Sequence, residues 1–275
     1  MSSSPKDAGY ILGYSAQEHA RLDTQAASLE PATRRVLEKV GVKSGWRCLD
    51  VACGTASVTQ ILGGLVGPSG AVHAIDLDDT YGIPAIAKLK NAGPDIYSFE
   101  KLDVTRSAPP NGAPFDLVFT RLLIVHMAEP LTVLRNLWSW VKPGGILLVQ
   151  DFDMLVAVTM TDGGRSAEAE PLIWKIFAAM GKDYRAGTSM PRRFLQAGIG
   201  PHDGIEVDAN FGSGKDYNTE AAPVLKSLIP VAVKYGVATA AEIKAVIAAM
   251  VVEGEELHSI GRWPDLVSTW KRKPL

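Results

Sequence analysis

An α/β fold built around a mostly parallel sheet is what the sequence predicts, and three observations predict it. Between Trp46 and Asp151, short Val/Ile/Leu-rich runs alternate with segments of helical period, the pattern of strands buried on both faces and joined by crossover helices. The first run leads into Leu49-Asp50-Val51-Ala52-Cys53-Gly54-Thr55-Ala56, a tight turn of small residues. Asp76 closes the second run, Val72-His73-Ala74-Ile75-Asp76, 20 residues past Ala56. Strand, small-residue turn, helix and a second strand ending in an acid form the unit that holds a nucleotide-shaped ligand at the carboxyl edge of a parallel sheet.

The elements follow in order. Ser15 to Val40 reads as helix, with Ser15 as cap and Glu18 three residues on, and Pro31 is expected to divide it in two. Strands are expected at 47–51, 71–76, 97–102, 115–120 and 145–151, with Pro143-Gly144-Gly145 as the turn between a helix and the fifth strand. Met190 to Gln196 reads as a short helix around Pro191 and Ile205 to Phe211 as a strand with polar alternation. Residues 219–256 hold two alanine-rich helical stretches parted near Gly236, and Asp265 to Lys271 is expected to be the final strand.

Composition bounds the function. A hydrophobic content of 47% supplies a large core, and a formal charge of −2 gives no general attraction to phosphate backbones, so nucleic acid is not an expected partner. Residues 1–12 lack the apolar centre of a signal peptide, and the apolar stretch 228–252 is interrupted by Lys234, Glu242 and Lys244. The expectation is a cytoplasmic protein with no membrane span. Cys48 falls in a strand and Cys53 in the turn, which argues against a disulfide between them. Cys53 reads either as a nucleophile or as a small residue that a tight turn tolerates.

The chemistry of the turn separates the ligands that carry an adenosine ribose. A dinucleotide site wants several glycines so that a pyrophosphate can sit on the helix N-terminus. Here the turn has one glycine, Gly54, and opens with an acid, Asp50. That acid repels a pyrophosphate and attracts a methionine ammonium.

Five blocks, LDVACGTA (49–56), AVHAIDLD (71–78), KLDVT (101–105), FDLVFTRLLIVHMAEP (115–130) and VKPGGILLVQDFD (141–153), stand in order within residues 46–151. On these blocks the chain resembles the class I S-adenosylmethionine-dependent methyltransferases, particularly the small-molecule branch with the ubiquinone/menaquinone-type enzymes. The resemblance implies a Rossmann-like three-layer sandwich whose seven-stranded, mostly parallel sheet ends in an antiparallel strand. It also implies one domain in three parts: an N-terminal helical cover (1–45), the S-adenosylmethionine-binding core (46–153), and a C-terminal completion of the sheet (154–275) with inserted acceptor-pocket helices at about 212–262. The family usually has glycine where this chain has Ala52 and Ala56, and weaker cofactor binding is expected from Ala56.

The same resemblance implies roles. Asp50 helps bind the methionine ammonium, or caps the next helix. Gly54 lets the backbone pass against the cofactor. Ala52 and Cys53 contribute backbone contacts. Asp76 accepts the ribose hydroxyls, Leu77 lies over the adenine, and Asp103 with the Val104 amide reads the adenine edge, Asp103 being otherwise a turn cap. Arg121 meets the cofactor through its carbonyl while its charge pairs structurally. Tyr14 and Arg21 belong to a covering helix, where Arg21 reaches the methionine carboxylate, or else they are ordinary surface residues. His126, after the fourth strand, is the candidate base for a hydroxyl or ammonium acceptor, or simply packs. Trp174, Phe177, Met180 and Tyr184 line an apolar acceptor pocket or form core. Asp151 and Asp153 do not make a metal site in this pattern, because an acid after the fourth strand is missing.

The function expected is methyl transfer to an O, N or C atom of a small molecule by in-line displacement. The alternatives are a protein of the same fold that binds S-adenosylmethionine but catalyses another reaction, such as a cyclisation, or only binds, and an NAD-dependent oxidoreductase.

Overall fold

A computed structural model describes residues 16–106, 108–160, 164–256 and 258–275, with side chains from Arg21 onward. Contacts divide the chain into two compact units, each assembled from separate stretches. The larger holds residues 22–152, 186–208 and 266–275; the smaller holds 153–185, 209–265 and the chain up to Arg21.

The larger unit is a seven-stranded sheet in the order β3-β2-β1-β4-β5-β10-β7. Its members are β1 (Arg47–Val51), β2 (Ala71–Asp76), β3 (Tyr97–Lys101), β4 (Phe115–Arg121), β5 (Val141–Asp153), β7 (Gly204–Asp208) and β10 (Asp265–Arg272). The strands β1 to β5 run parallel. Strand β10 runs against them: Lys273 N–H reaches Gly145 O at the start of β5 while Ser268 meets Gln150 near its end, and β7 pairs antiparallel to β10 in turn. The predicted mostly parallel seven-stranded sheet with its antiparallel final strand is therefore present. The order reverses between β2 and β4 across β1, which opens a crevice outside the carboxyl ends of β1 and β4.

Helices α1 (Ala16–Lys39), α2 (Ser57–Val66), α3 (Asp79–Ala92), α4 (Pro130–Trp140) and α6 (Ala186–Gln196) accompany the sheet. Buried residues of α1, α2 and α3, among them Val36, Leu37, Ile61, Leu62 and Ile86, pack with strand residues such as Cys48, Val72, Ala74, Leu117 and Leu148 in one core. The smaller unit packs α5 (Ala169–Ala179), α7 (Gly214–Ser227), α8 (Ile229–Lys234) and α9 (Ala240–Glu253) with a three-stranded antiparallel sheet, β6 (Val158–Met160), β9 (Ile260–Arg262) and β8 (Phe211–Ser213).

Several expectations are corrected. Pro31 does not split α1, which continues from Ala16 to Lys39. A proline removes one helical hydrogen bond and crowds the preceding turn, a cost of about 3 kcal/mol; here buried Thr33, Val36 and Leu37 and the Arg35 and Lys39 bonds to Glu206 hold the second half in place. Pro143-Gly144-Gly145 lies within β5 as an irregularity, since Phe115 pairs with Val141 and the register then shifts to Leu117 with Ile146. Gly145 is required there, because a Cβ would sit 2.9 Å from the Asp116 and Phe115 carbonyls. The expected strand 205–211 is two strands, β7 and β8, which join different sheets. The helical stretch after 212 makes three helices, with left-handed Gly236 ending α8 and a Thr239/Glu242 capping box starting α9. The expected cap Ser15 lies outside the described residues. No helix among the described residues is long and apolar enough to cross a membrane.

Candidate active site

Sheet pairing brings the expected site residues to one edge. Val51, the last residue of β1, pairs with Ile75 on one side and Thr120 on the other. The turn 52–56, Asp76 and Arg121 consequently leave the sheet side by side, and Asp76 pairs with Lys101 at the end of β3, two residues before Asp103.

The turn is left-handed at three positions: Ala52 (φ 58), Gly54 (φ 51) and Ala56 (φ 62). Glycine accepts this conformation freely, whereas alanine pays roughly 1–2 kcal/mol. The two alanines are thus where the backbone most favours glycine. Cys53 N–H bonds Ile75 O at 3.1 Å and Ala56 N–H bonds Cys53 O at 2.8 Å, which closes the turn against β2. The Asp76 carboxylate accepts from Gly54 N–H at 2.9 Å and Asp78 N–H at 3.1 Å. A Cβ built on Gly54 would meet nothing within 4 Å. Open space in front of a bare backbone, an acid beside it and the 49% exposed Leu77 next along the chain fit a nucleoside.

Asp50 is 2% exposed and accepts from Thr59 Oγ1 at 2.6 Å. Burial pushes its carboxyl up to about 6, against the Thr59 bond and the attraction of Arg121. Burial also raises Asp76, opposed by the amides of Gly54, Asp78 and Leu77. The Cys53 thiol is driven far up by burial and by the carboxylates of Asp50 and Asp76. It is held protonated, so the small-residue reading of Cys53 prevails over the nucleophile. Both cysteines are free.

Arg121 sends its guanidinium away from the open edge: Nη1 donates to Thr33 Oγ1 and Nη2 to Ser57 Oγ, each at 2.9 Å. Desolvation lowers its pKa to about 10. Its guanidinium is used structurally, on the hydroxyls of Thr33 and Ser57. Asp103 folds back on its own turn, accepting from Thr105 N–H at 3.0 Å and Thr105 Oγ1 at 2.6 Å, and partial burial is outweighed so that it stays below its ordinary value. These two bonds cap the turn 103–105. Val104 is buried, and its carbonyl accepts from Asn136 of α4 at 3.0 Å.

His126 ends a single 3₁₀ turn, Ile124–His126, directly after β4. That turn hangs on Asp151, whose fully buried carboxylate accepts from Val125 N–H at 3.1 Å and Phe152 N–H at 2.9 Å. Arg21 lies half-buried on α1 in the smaller unit, and Tyr14 lies outside the described residues. In the smaller unit Trp174 stacks on Tyr184 at 6.4 Å and donates to Met154 O at 2.8 Å, while Phe177 is 3% exposed, the behaviour of packing residues.

Residues 42–186 match the family model described as a methyltransferase domain. The chain belongs to the methyltransferase domain family. It is 32% identical over 200 residues to the ubiquinone/menaquinone biosynthesis C-methyltransferase UbiE of Pasteurella multocida, covering 70% of this chain and 71% of that one. It is 29% identical over 123 residues to phosphoethanolamine N-methyltransferase 1 of Arabidopsis thaliana, a match that covers 44% of this chain but only 24% of that protein. The chain thus spans about a quarter of the plant relatives' length. A methyltransferase structure from Bacillus halodurans C-125 superposes with a TM-score of 0.59 at 15% identity, over 88% of this chain and 99% of the other, a likeness of fold. The methyltransferase fold and S-adenosylmethionine as the cofactor of this family agree with the expectation from the turn.

Residues that sequence reasoning passed over are the partners of the site: Thr33, Ser57, Thr59, Asn136 and Gln150. One signal was available, since Gln150 interrupts the apolar run Ile146-Leu147-Leu148-Val149. A lone amide in a buried strand has to find a partner.

Proposed function

We propose that this methyltransferase binds S-adenosylmethionine at the carboxyl edge of β1, β2 and β4 and transfers its methyl group to a small-molecule acceptor. The observation that carries the reading is the Asp76 carboxylate, held against the Gly54 amide beside an open, left-handed turn. The cofactor supplies a methyl on a sulfonium, so that an acceptor lone pair displaces the thioether in line and S-adenosylhomocysteine leaves. What remains for the chain is to bind, to orient and to exclude water. Asp76 takes the ribose hydroxyls, Leu77 the adenine face, and Asp103 with the Val104 amide the adenine edge. The turn 52–54 contributes backbone amides and carbonyls, Asp50 draws the ammonium, and the Arg121 carbonyl faces the cofactor. Arg21 and Tyr14 are assigned to the cover over the methionine end. His126 takes the proton of an acceptor that carries one.

The acceptor is assigned to small molecules because the chain's charge of −2 offers nothing to a nucleic acid backbone. The cytoplasm is proposed as its compartment. One domain in three parts, 1–45, 46–153 and 154–275, is the proposed functional division, with the helices at 212–262 around the acceptor.

Calorimetric titration with S-adenosylmethionine, S-adenosylhomocysteine and NADH, beside an Asp76→Ala variant checked by circular dichroism, tests the site. Binding of the first two ligands only, lost in the variant, is the expected result; binding of NADH alone would replace the reading with an oxidoreductase. Transfer is then read with labelled methyl, because a cyclase or a binding protein leaves the label on the cofactor.

A further inference from the structure

A turn with alanine at two left-handed positions needs an outside constraint, because backbone strain persists only where the surroundings over-determine it. Ala56 offers no side-chain cap to α2, which starts at Ser57 directly behind it. Two side-chain bonds pin the first turn of that helix instead. Thr59 Oγ1 donates to Asp50 Oδ2 at 2.6 Å, and Ser57 Oγ accepts from Arg121 Nη2 at 2.9 Å.

The second bond is the end of a longer line. Arg121 Nη1 donates to Thr33 Oγ1 at 2.9 Å, Thr33 Oγ1 donates to Gln150 Oε1 at 2.9 Å, and Gln150 Nε2 donates to Ser268 Oγ at 2.8 Å. Thr33, Gln150 and Ser268 are all 0% exposed. Every donor along the line points the same way, from the guanidinium inward, so the Thr33 hydroxyl is used as both acceptor and donor. The line therefore joins α1, β4, β5 and β10 to the first residue of α2, all within the larger unit. Gln150 has a second grip on the same place, since its carbonyl accepts Leu122 N–H at 2.9 Å and Leu122 is itself left-handed at φ 56. One residue of β5 thus reaches Arg121 by its side chain, through Thr33, and holds the residue after Arg121 by its backbone.

We propose that Thr33 and Gln150 are positioning residues for cofactor binding: with Arg121 they hold Ser57, and so the turn 52–56, in the conformation that glycine adopts unaided. This inference rests on the S-adenosylmethionine site proposed above. A core filler in the same place would need volume only, whereas this line needs a hydroxyl at 33 and an amide at 150. Buried hydrogen bonds in a connected line are also expensive to break singly, because the remaining groups stay desolvated and unpaired.

The probe is S-adenosylhomocysteine, with Kd measured by calorimetry on the full chain under conditions where each variant is folded. Thr33→Val keeps the shape and removes the hydroxyl, and Kd is expected to rise about tenfold, the effect of losing one buried hydrogen bond's worth of pre-organisation. Thr33→Ser keeps the hydroxyl and loses a methyl group, and Kd is expected to stay at the wild-type value although thermal stability falls. In an Ala56→Gly background the penalty of Thr33→Val is expected to shrink, because glycine no longer needs the constraint. Gln150→Met reads the same quantity where Thr33→Val fails to fold. Wild-type affinity in a folded Thr33→Val or Gln150→Met chain overturns the proposal, as does a penalty that is undiminished by Ala56→Gly. Absence of binding to the wild-type chain removes the cofactor site itself, and the proposal falls with it.

Discussion

The larger and smaller units solve the burial problem differently. In the larger unit the central strands β1, β2, β4 and β5 are buried along most of their length, and several polar groups that enter the core are tied to partners: Asp50 to Thr59, Thr33 to Gln150 and Arg121, Asn136 to the loop after β3. The smaller unit is helical around three short strands; its α9 and β8 leave Val251, Val252 and Phe211 exposed, much as Ile83 and Leu195 are on the helices of the larger unit, so the difference lies in the sheet and not in the outer faces. Its interior carries polar groups as well, with Asn218 bridging Thr159 Oγ1 at 3.0 Å and Met250 O at 2.8 Å. A ligand gripped by backbone needs an edge defined to fractions of an ångström, and a sheet locked by interior hydrogen bonds provides it. Short strands and amphipathic helices tolerate substitution at their surfaces, which suits the acceptor role proposed for the helices at 212–262.

The two units each have a glycine whose substitution tests that contrast. A Cβ at Gly187 would lie 2.5 Å from the Asp151 carbonyl and 2.9 Å from Val267 Cβ, at the point where α6 meets the end of β5. Gly187→Ala is expected to cost about 4 kcal/mol, since backbone cannot withdraw as a side chain can, and to weaken S-adenosylhomocysteine binding with it. In the smaller unit, a Cβ at Gly261 would fall 2.1 Å from Tyr217 Cβ. Gly261→Ala is expected to cost about 2–3 kcal/mol while the Kd for S-adenosylhomocysteine stays within about twofold. Thermal unfolding and calorimetry read both variants. An equal loss of affinity from Gly261→Ala would abolish the division between a cofactor-binding unit and the rest.

Asp151 sharpens the comparison through pH. Burial raises its carboxyl to about 7, against the Phe152 and Val125 amides and the charge of Arg193. The folded chain therefore keeps this proton at pH values where the unfolded chain has released it. Stability from this group is greatest below about pH 4 and declines as pH rises towards 7, by roughly 4 kcal/mol in all. Asp50, raised to about 6, declines in the same direction over a narrower window. Asp151→Asn is expected to flatten the fall in denaturant-measured stability between pH 5 and pH 8. An unchanged slope would assign the pH dependence elsewhere.

Legibility in the sequence divides along the same line. The strands β1 to β5 and the edge that carries Asp50, Asp76 and Arg121 were readable because a buried parallel strand needs an unbroken apolar run and a tight turn needs small residues. The short strands are less legible: β8 and β9 are three residues each, too short for a period of two to register. Pro31 looks like a break because sequence shows its local cost and hides the tertiary contacts that offset it. The relay from Arg121 to Ser268 was invisible for a related reason. Thr33 and Gln150 lie 117 positions apart, and nothing local in either segment announces the other.

The finest test concerns Ala52, the alanine at the exit of β1. Its φ of 58 places it where L side chains are disfavoured, and unlike buried Ala56 it is half-exposed, so little packing is lost when its methyl group goes. Ala52→Gly relieves roughly 1–2 kcal/mol of strain and returns about 0.5–1 kcal/mol through the greater freedom of the unfolded chain, leaving a gain of about 0.5–1 kcal/mol. Denaturant unfolding resolves a difference of that size. A loss of stability would mean that the methyl group is a packing element of the turn, and that the position owes its alanine to contact rather than to tolerance.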